Sequence, residues 1–260
     1  MTKIIAIANQ KGGVGKTTTA GAMAANLKRR GFRVLAIDLD PQANLTSSVG
    51  LSTEIGAGWP TAYFALKKEI AARETIQHLN AFDLIPANIT LANADQEFTM
   101  SGREYRLKEA IASIVADYDM IIIDTPPSLG ILTCNAFAAA KEIIIPATAS
   151  MFAIEGIVRL HETIKAVKQY CNPDLQIKGI LITKYDPRTI AGRTVKGFAE
   201  RIGEGLAIPI FQTFIRGGIS VEEAQIQRED IFAYNEKTNP AQDYDNYVSE
   251  YLKGSDNYGQ

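Results

Sequence analysis

The sequence predicts an α/β fold: a doubly wound, mainly parallel sheet with helices on both faces. Short runs of apolar, largely β-branched residues recur along almost the whole chain. Stretches with helical spacing separate them, and the first run leads straight into a glycine-rich turn before a helix. Strands covered on both faces read as continuous apolar runs, and parallel neighbours need a crossover that is usually helical.

Taken in order, "KIIAIA" (3–8) is the first strand, and a helix over 16–30 follows the glycine turn. "RVLAID" (33–38), "FDLIPA" (82–87) and "MIIIDT" (120–125) are the next strands, then "EIIIPA" (142–147) and "IKGILIT" (177–183). Helices are expected over 104–117, 155–170 and 192–206. The Gly-, Ser- and Thr-rich stretch 48–62 reads as a surface excursion, and the residues from 253 to 260 as a flexible tail. Neither repeat nor linker divides the chain, so one domain over 1–260 is expected. Tyr244, Tyr247 and Tyr251 follow i, i+3, i+7 spacing, which suits a closing helix packed on the core.

Composition narrows the function classes. The 260 residues are 46% hydrophobic and 22% charged, ordinary for a globular protein. No apolar run reaches the roughly 20 residues of a membrane span, and the opening "MTKIIAIANQ" lacks the layout of a signal peptide. Cys134 and Cys171 suggest neither a disulfide framework nor a metal cluster, which points to a reducing cytoplasm. Net charge is −2, so binding to nucleic acid would need a local basic patch. Seven bases face three acids between 178 and 216, whereas nine acids face three bases from 219 to 260.

The chemistry begins at "ANQKGGVGKTTTA" (8–20). Gly12, Gly13 and Gly15 let backbone N–H groups turn onto phosphate oxygens, and the helix beginning near Lys16 adds its positive end. Lys16 would contact the β- and γ-phosphates and the Thr17 hydroxyl Mg²⁺. The usual pattern has glycine where this chain has Gln10, and a second lysine, Lys11, follows it. Asp124 closes an apolar strand, where a carboxylate serving Mg²⁺ belongs, and "DTPPSLG" after it is placed to sense a γ-phosphate. In "AIDLDPQANLT" (36–46), Asp38 and Asp40 stand two residues apart. One could assist the metal and the other orient the attacking water; an Asp at a strand end before Pro41 also suits a turn.

Together "KGGVGKTT", "AIDLDPQAN", "MIIIDTPPSLG" and "KYDPRT" resemble the ParA family of partition ATPases, P-loop NTPases of the deviant Walker A group that also holds MinD. The likeness covers nearly the whole chain. It implies ATP and Mg²⁺ as cofactors and a nucleotide-contacting set of Lys11, Gly12, Gly13, Val14, Gly15, Lys16, Thr17 and Thr18. It also implies that Lys11 is a signature lysine reaching the partner's nucleotide across an ATP-bound homodimer, with Gly13 at the close approach. The likeness further implies Thr17 for Mg²⁺, Asp40 for the catalytic water and Asp124 for the Walker B position; with Asp38 of the carboxylate pair, Thr17 and Asp124 make up the expected metal group.

Members of the group differ in what the ATP-bound dimer grips. The acidic C-terminal segment has the wrong composition for an anionic lipid surface, so a MinD-like membrane switch is not expected. The C-terminal tyrosines raise a tyrosine-kinase alternative, but that family lacks a lysine such as Lys11. Nitrogenase-type reductases need paired cluster-ligating cysteines, unlike Cys134 and Cys171. The basic stretch suits non-specific double-stranded DNA, with Arg188, Arg193, Lys196, Arg201 and Arg216 as candidate phosphate contacts, although a solvated helix face has the same composition. Two glycines follow Arg216, where relatives more often carry arginines. Without an N-terminal helix-turn-helix, operator-specific repression is not expected. Thr183-Lys184-Tyr185-Asp186 spells TKxD, a guanine-reading motif, yet the other blocks favour ATP. The expectation is a partition ATPase with weak intrinsic activity, stimulated by a ParB-like adaptor, cytoplasmic and nucleoid-associated in its ATP state. A ParA-like ATPase positioning a protein cargo is the alternative.

Overall fold

The computed structural model describes residues 2–148 and 151–256. The first half runs β1 (Lys3–Ile7), α1 (Lys16–Arg29), β2 (Val34–Asp38), α2 (Asn44–Ser48), α3 (Ala62–Lys67), α4 (Ala72–Thr75), β3 (Gln77–His78), β4 (Asp83–Ile85), α5 (Ala94–Glu97), α6 (Arg106–Ile111) and β5 (Met120–Asp124). It continues with α7 (Ile131–Ala139), β6 (Glu142–Thr148), α8 (Met151–Tyr170), β7 (Gln176–Thr183), α9 (Ile190–Leu206), α10 (Ser220–Gln227), α11 (Ile231–Asn235) and α12 (Asn239–Asp256). The strands form one sheet in the order β3-β4-β2-β5-β1-β6-β7. Among the described residues, only the β3–β4 pair is antiparallel.

Alternation along each strand divides the core into two layers. Ile4 and Ala6 of β1 pack with Leu132, Phe137 and Leu160 on one face. Ile5 and Ile7 pack with Met23, Leu27 and the α12 tyrosines on the other. Period-two geometry sends neighbouring side chains to opposite faces, so an unbroken apolar strand requires both layers. The predicted doubly wound sheet is the observed one.

The differences have local causes. Helix α7 escaped the sequence reading because eight of its nine residues are buried, which leaves no polar face to mark a helical period. Edge strand β3 is two residues long, too short for an alternating signal. The expected helix over 104–117 is broken: α6 ends at Ile111 and a 3₁₀ turn, Val115–Asp117, follows. That turn delivers the Tyr118 hydroxyl to Asp83 at 2.7 Å and places Asp119 against Arg33. The excursion has no regular structure from 49 to 61, but Thr61 is buried and the Ala62 amide donates to the Pro86 carbonyl. Of the expected tail, 253–256 form the last turn of α12, and 257–260 lie outside the described residues.

Helix α12 closes the second layer. Tyr244, Tyr247 and Tyr251 are each at most 2% exposed. The Tyr244 and Thr19 hydroxyls pair at 3.1 Å, and the Tyr247 ring meets Phe211 edge-on. These tyrosines are core residues, inaccessible as phosphate acceptors, and the apolar side of α12 is spent on the sheet. Tyr258, a further tyrosine near the C-terminal end of the sequence, lies outside the described residues. Tyr247→Ala is expected to lower unfolding free energy by about 3–5 kcal/mol in a denaturant titration, because a large ring leaves a cavity between helix and sheet. Cys134 and Cys171 are half-buried free thiols packed against the other layer. Among the described residues, no helix is long and apolar enough to cross a membrane.

Candidate nucleotide site

The site lies beyond the carboxyl ends of β1, β2, β5 and β7, where parallel α/β sheets hold ligands. Gly13 (φ 72°) and Gly15 (φ 83°) take the left-handed backbone that side chains resist, and Gly15 leads directly into α1. No side chain caps that helix start, so its first-turn N–H groups remain available to a ligand. The loop is braced from behind. Asn9 accepts from the Lys11 amide at 3.0 Å and donates to the Pro146 carbonyl at 2.7 Å. The Thr183 hydroxyl donates to the Val14 carbonyl at 2.8 Å, and Thr125 donates to Ile7 at the end of β1.

Lys16 is 6% exposed, and its ammonium donates to the Lys11 carbonyl at 3.3 Å. Burial lowers its pKa, opposed by the charges of Asp124 and Asp40. Parallel pairing puts Asp38 directly beside Asp124. Asp124 is fully buried, and neither carboxylate oxygen has a hydrogen-bond partner among the described residues. Burial first, then the neighbouring Asp38 charge, pushes its pKa well up; the Thr17 hydroxyl and Lys16 pull the other way. An orphaned buried carboxylate beside a threonine hydroxyl and a phosphate loop fits a divalent cation.

Asp38, the third member of the expected metal group, is engaged by its own chain. Its Oδ2 accepts from the Thr46 amide at 2.9 Å and the Thr46 hydroxyl at 2.8 Å, and its Oδ1 from the Asp40 amide at 3.1 Å. Burial pushes its pKa up to about 6 against those donors. Asp38 braces the chain through three accepted hydrogen bonds, whereas Asp124 accepts none among the described residues. Asp40 is 7% exposed; its Oδ1 accepts from the Gln42 amide at 3.0 Å. It lines a cavity of about 580 Å³ together with the loop glycines, Lys16, Thr17 and Thr18. Val14 turns inward and is buried, so only its backbone serves the loop. Lys11 stands partly exposed at the loop entrance and is not among the residues lining the cavity.

Glu222 and Gln225 of α10 also line the cavity, as do Asn44 and Ser47 of α2. The sequence reading missed them: α10 registers only as part of an acidic stretch, and its approach to the loop depends on how the chain returns after β7.

A family model described as an AAA domain matches residues 2–177. The chain is 39% identical over 250 residues to the sporulation initiation inhibitor protein Soj of Bacillus subtilis (strain 168), covering 94% of this chain and 96% of that protein. It is 38% identical over 245 residues to the chromosome partitioning protein ParA of Myxococcus xanthus (strain DK1622), covering 93% of this chain and 85% of that one. The chain belongs to the ParA/Soj family of partition ATPases. Among solved structures it resembles one titled cobyrinic acid a,c-diamide synthase from Mycobacterium smegmatis with bound ATP analog and magnesium. That likeness has a TM-score of 0.85 and 34% identity, over 98% of this chain and 96% of that one.

The candidate DNA contacts of this ParA/Soj chain are not equivalent. Arg216 is held within the fold: its guanidinium and its backbone amide all donate to Asp243, with Nη2 at 2.7 Å. Asp243 is 6% exposed, so withdrawing Arg216 would strand a buried carboxylate. The pair joins the segment between α9 and α10 to α12. Arg188 is paired with Asp186 through its amide, Nε and Nη2, on a side chain that is 88% exposed. On α9, Lys196 faces Glu200 at 3.7 Å, and the Arg201 guanidinium covers the Phe198 ring at 4.7 Å. The Arg193 side chain lies outside the described residues. Within the TKxD segment, Lys184 takes a left-handed backbone (φ 50°) and lines the cavity, while Arg188 occupies both oxygens of Asp186.

Proposed function

We propose that this protein is a Mg²⁺-dependent ATPase of the partition type, working as an ATP-bound homodimer on non-specific duplex DNA. The observation that carries the ATPase reading is Asp124: fully buried, unpartnered, and set beside Lys16 and Thr17 beneath the glycine loop. Thr17 and Asp124 would hold Mg²⁺, which supplies charge neutralisation on the β- and γ-phosphate oxygens. The loop amides and Lys16 bind and orient the phosphates. Asp40, on the cavity wall, orients the attacking water and accepts its proton. The solved relative with ATP analog and magnesium supports the same cofactors. ATP is preferred to GTP because Asp186, the residue that would read guanine, is occupied by Arg188.

Lys11 completes the site in trans. It stands at the loop entrance without lining its own chain's cavity, which suits a cation delivered to a partner's phosphates. Intrinsic turnover is then weak, and a ParB-like adaptor accelerates it. In the ATP state the dimer is nucleoid-associated through the basic stretch, with Lys196 and Arg201 better exposed for the task than Arg216. Random-sequence duplex is expected to bind with ATP but not ADP, to weaken as salt rises, and to be lost in Lys11→Ala. Fluorescence anisotropy over a salt series reads this directly. Equal binding with ADP, or full binding by Lys11→Ala, would remove the trans-lysine dimer and its DNA switch.

A further inference from the structure

Between β2 and α2 the chain turns sharply, and that turn sets where Asp40 stands. The Ala43 amide closes it by donating to the Asp40 carbonyl at 2.8 Å. Ala43 itself takes a left-handed backbone, φ 52°, a conformation that is unfavourable for a residue with a Cβ. A turn holding such a residue persists only when its surroundings over-determine it.

The support converges on one hydroxyl. Thr46 is 0% exposed. Its Oγ1 donates to Asp38 Oδ2 at 2.8 Å and accepts from the Ala87 amide, just beyond β4, at 2.9 Å. Asp38 in turn accepts from the Asp40 amide through its other oxygen at 3.1 Å. One unbroken series of hydrogen bonds therefore runs from the β4 end through Thr46 and Asp38 to the backbone of Asp40. The phosphate loop is fastened separately by Asn9, Thr125 and Thr183.

We propose, resting on the ATPase reading above, that Thr46 is the positioning residue for hydrolysis. Its hydroxyl bridges Asp38 and Ala87 and thereby holds Asp40 at the attacking water. It touches neither nucleotide nor metal. Losing the hydroxyl leaves a buried amide and a buried carboxylate each short of a partner, and the turn relaxes. Because the loop has its own fastenings, ATP binding survives while hydrolysis falls.

The test uses the full chain with Mg²⁺ and ATP and compares Thr46→Ser with Thr46→Ala, which differ by the hydroxyl alone. Thr46→Val repeats the deletion with the side-chain shape kept, in case the smaller residue unfolds the turn. Steady-state kcat and KM are read beside equilibrium binding of a fluorescent ATP analogue. Thr46→Ala and Thr46→Val are expected to lose about 10- to 100-fold in kcat with little change in affinity for the analogue, as a small misplacement of a catalytic group does. Thr46→Ser restores most of kcat. Equal kcat in the Ser and Ala variants would overturn the proposal, as would a parallel loss of binding and turnover. A wild-type chain that binds the analogue but never hydrolyses ATP would instead overturn the ATPase reading.

Discussion

Lys16→Ala is expected to lose essentially all nucleotide binding, with affinity for a labelled ATP analogue falling by about 100-fold or more. Two effects act together. The substitution removes the cation placed for the β- and γ-phosphates. It also removes the positive charge nearest a carboxylate cluster in which Asp124 and Asp38 are wholly buried and Asp40 nearly so. With Lys16 gone, an incoming polyanion meets the carboxylates with only loop amides to offset them. An equilibrium titration of the labelled analogue checks this. In the wild type the same assay should show unlabelled ATP displacing the label far better than GTP. Tight binding by Lys16→Ala would mean that the glycine loop is not the phosphate site.

Asp40→Ala should separate binding from hydrolysis. Its carboxylate is held by one backbone amide, from Gln42, and faces the cavity. It contributes no strand pairing, so the fold and the loop should survive its loss. Removing a general base of this kind costs about 10²- to 10⁴-fold in rate. The expected protein binds ATP, dimerises, stays on DNA and fails to release. Single-turnover phosphate release measured beside DNA dissociation reads both halves. Normal turnover would move the role to another group on the cavity wall, and Asp38 is a poor substitute because Thr46 and the Asp40 amide already occupy its oxygens.

Much of this site's geometry is legible in the sequence. A glycine run between a strand and a helix forces one backbone geometry, so the positions of Gly13, Gly15, Lys16 and Thr17 follow from local sequence. Asp124 was legible for a similar reason: an acid closing an apolar strand must sit at the strand's carboxyl end. Helix α7 was not legible, because a helix buried all round has no polar stripe. Asp38 and Asp40 are equivalent by spacing, so local sequence does not tell their surroundings apart. Only the return of Thr46 and the amide of Asp40 onto the Asp38 oxygens sets them apart. The pairing of Arg216 was not legible because its partner Asp243 is 27 residues along the chain on α12.

By itself the sequence determined the alternation of strands and helices, the phosphate loop, the carboxylates at the strand ends and the family. These are decided by residues near one another in the chain, through backbone sterics and burial periodicity. Tertiary structure alone decided which carboxylate braces and which is left unpartnered, which arginine is already paired, and that α10 helps to wall the cavity. Those outcomes depend on contacts between residues distant in sequence, where a hydrogen bond made or left unmade within the fold settles what a side chain can still do.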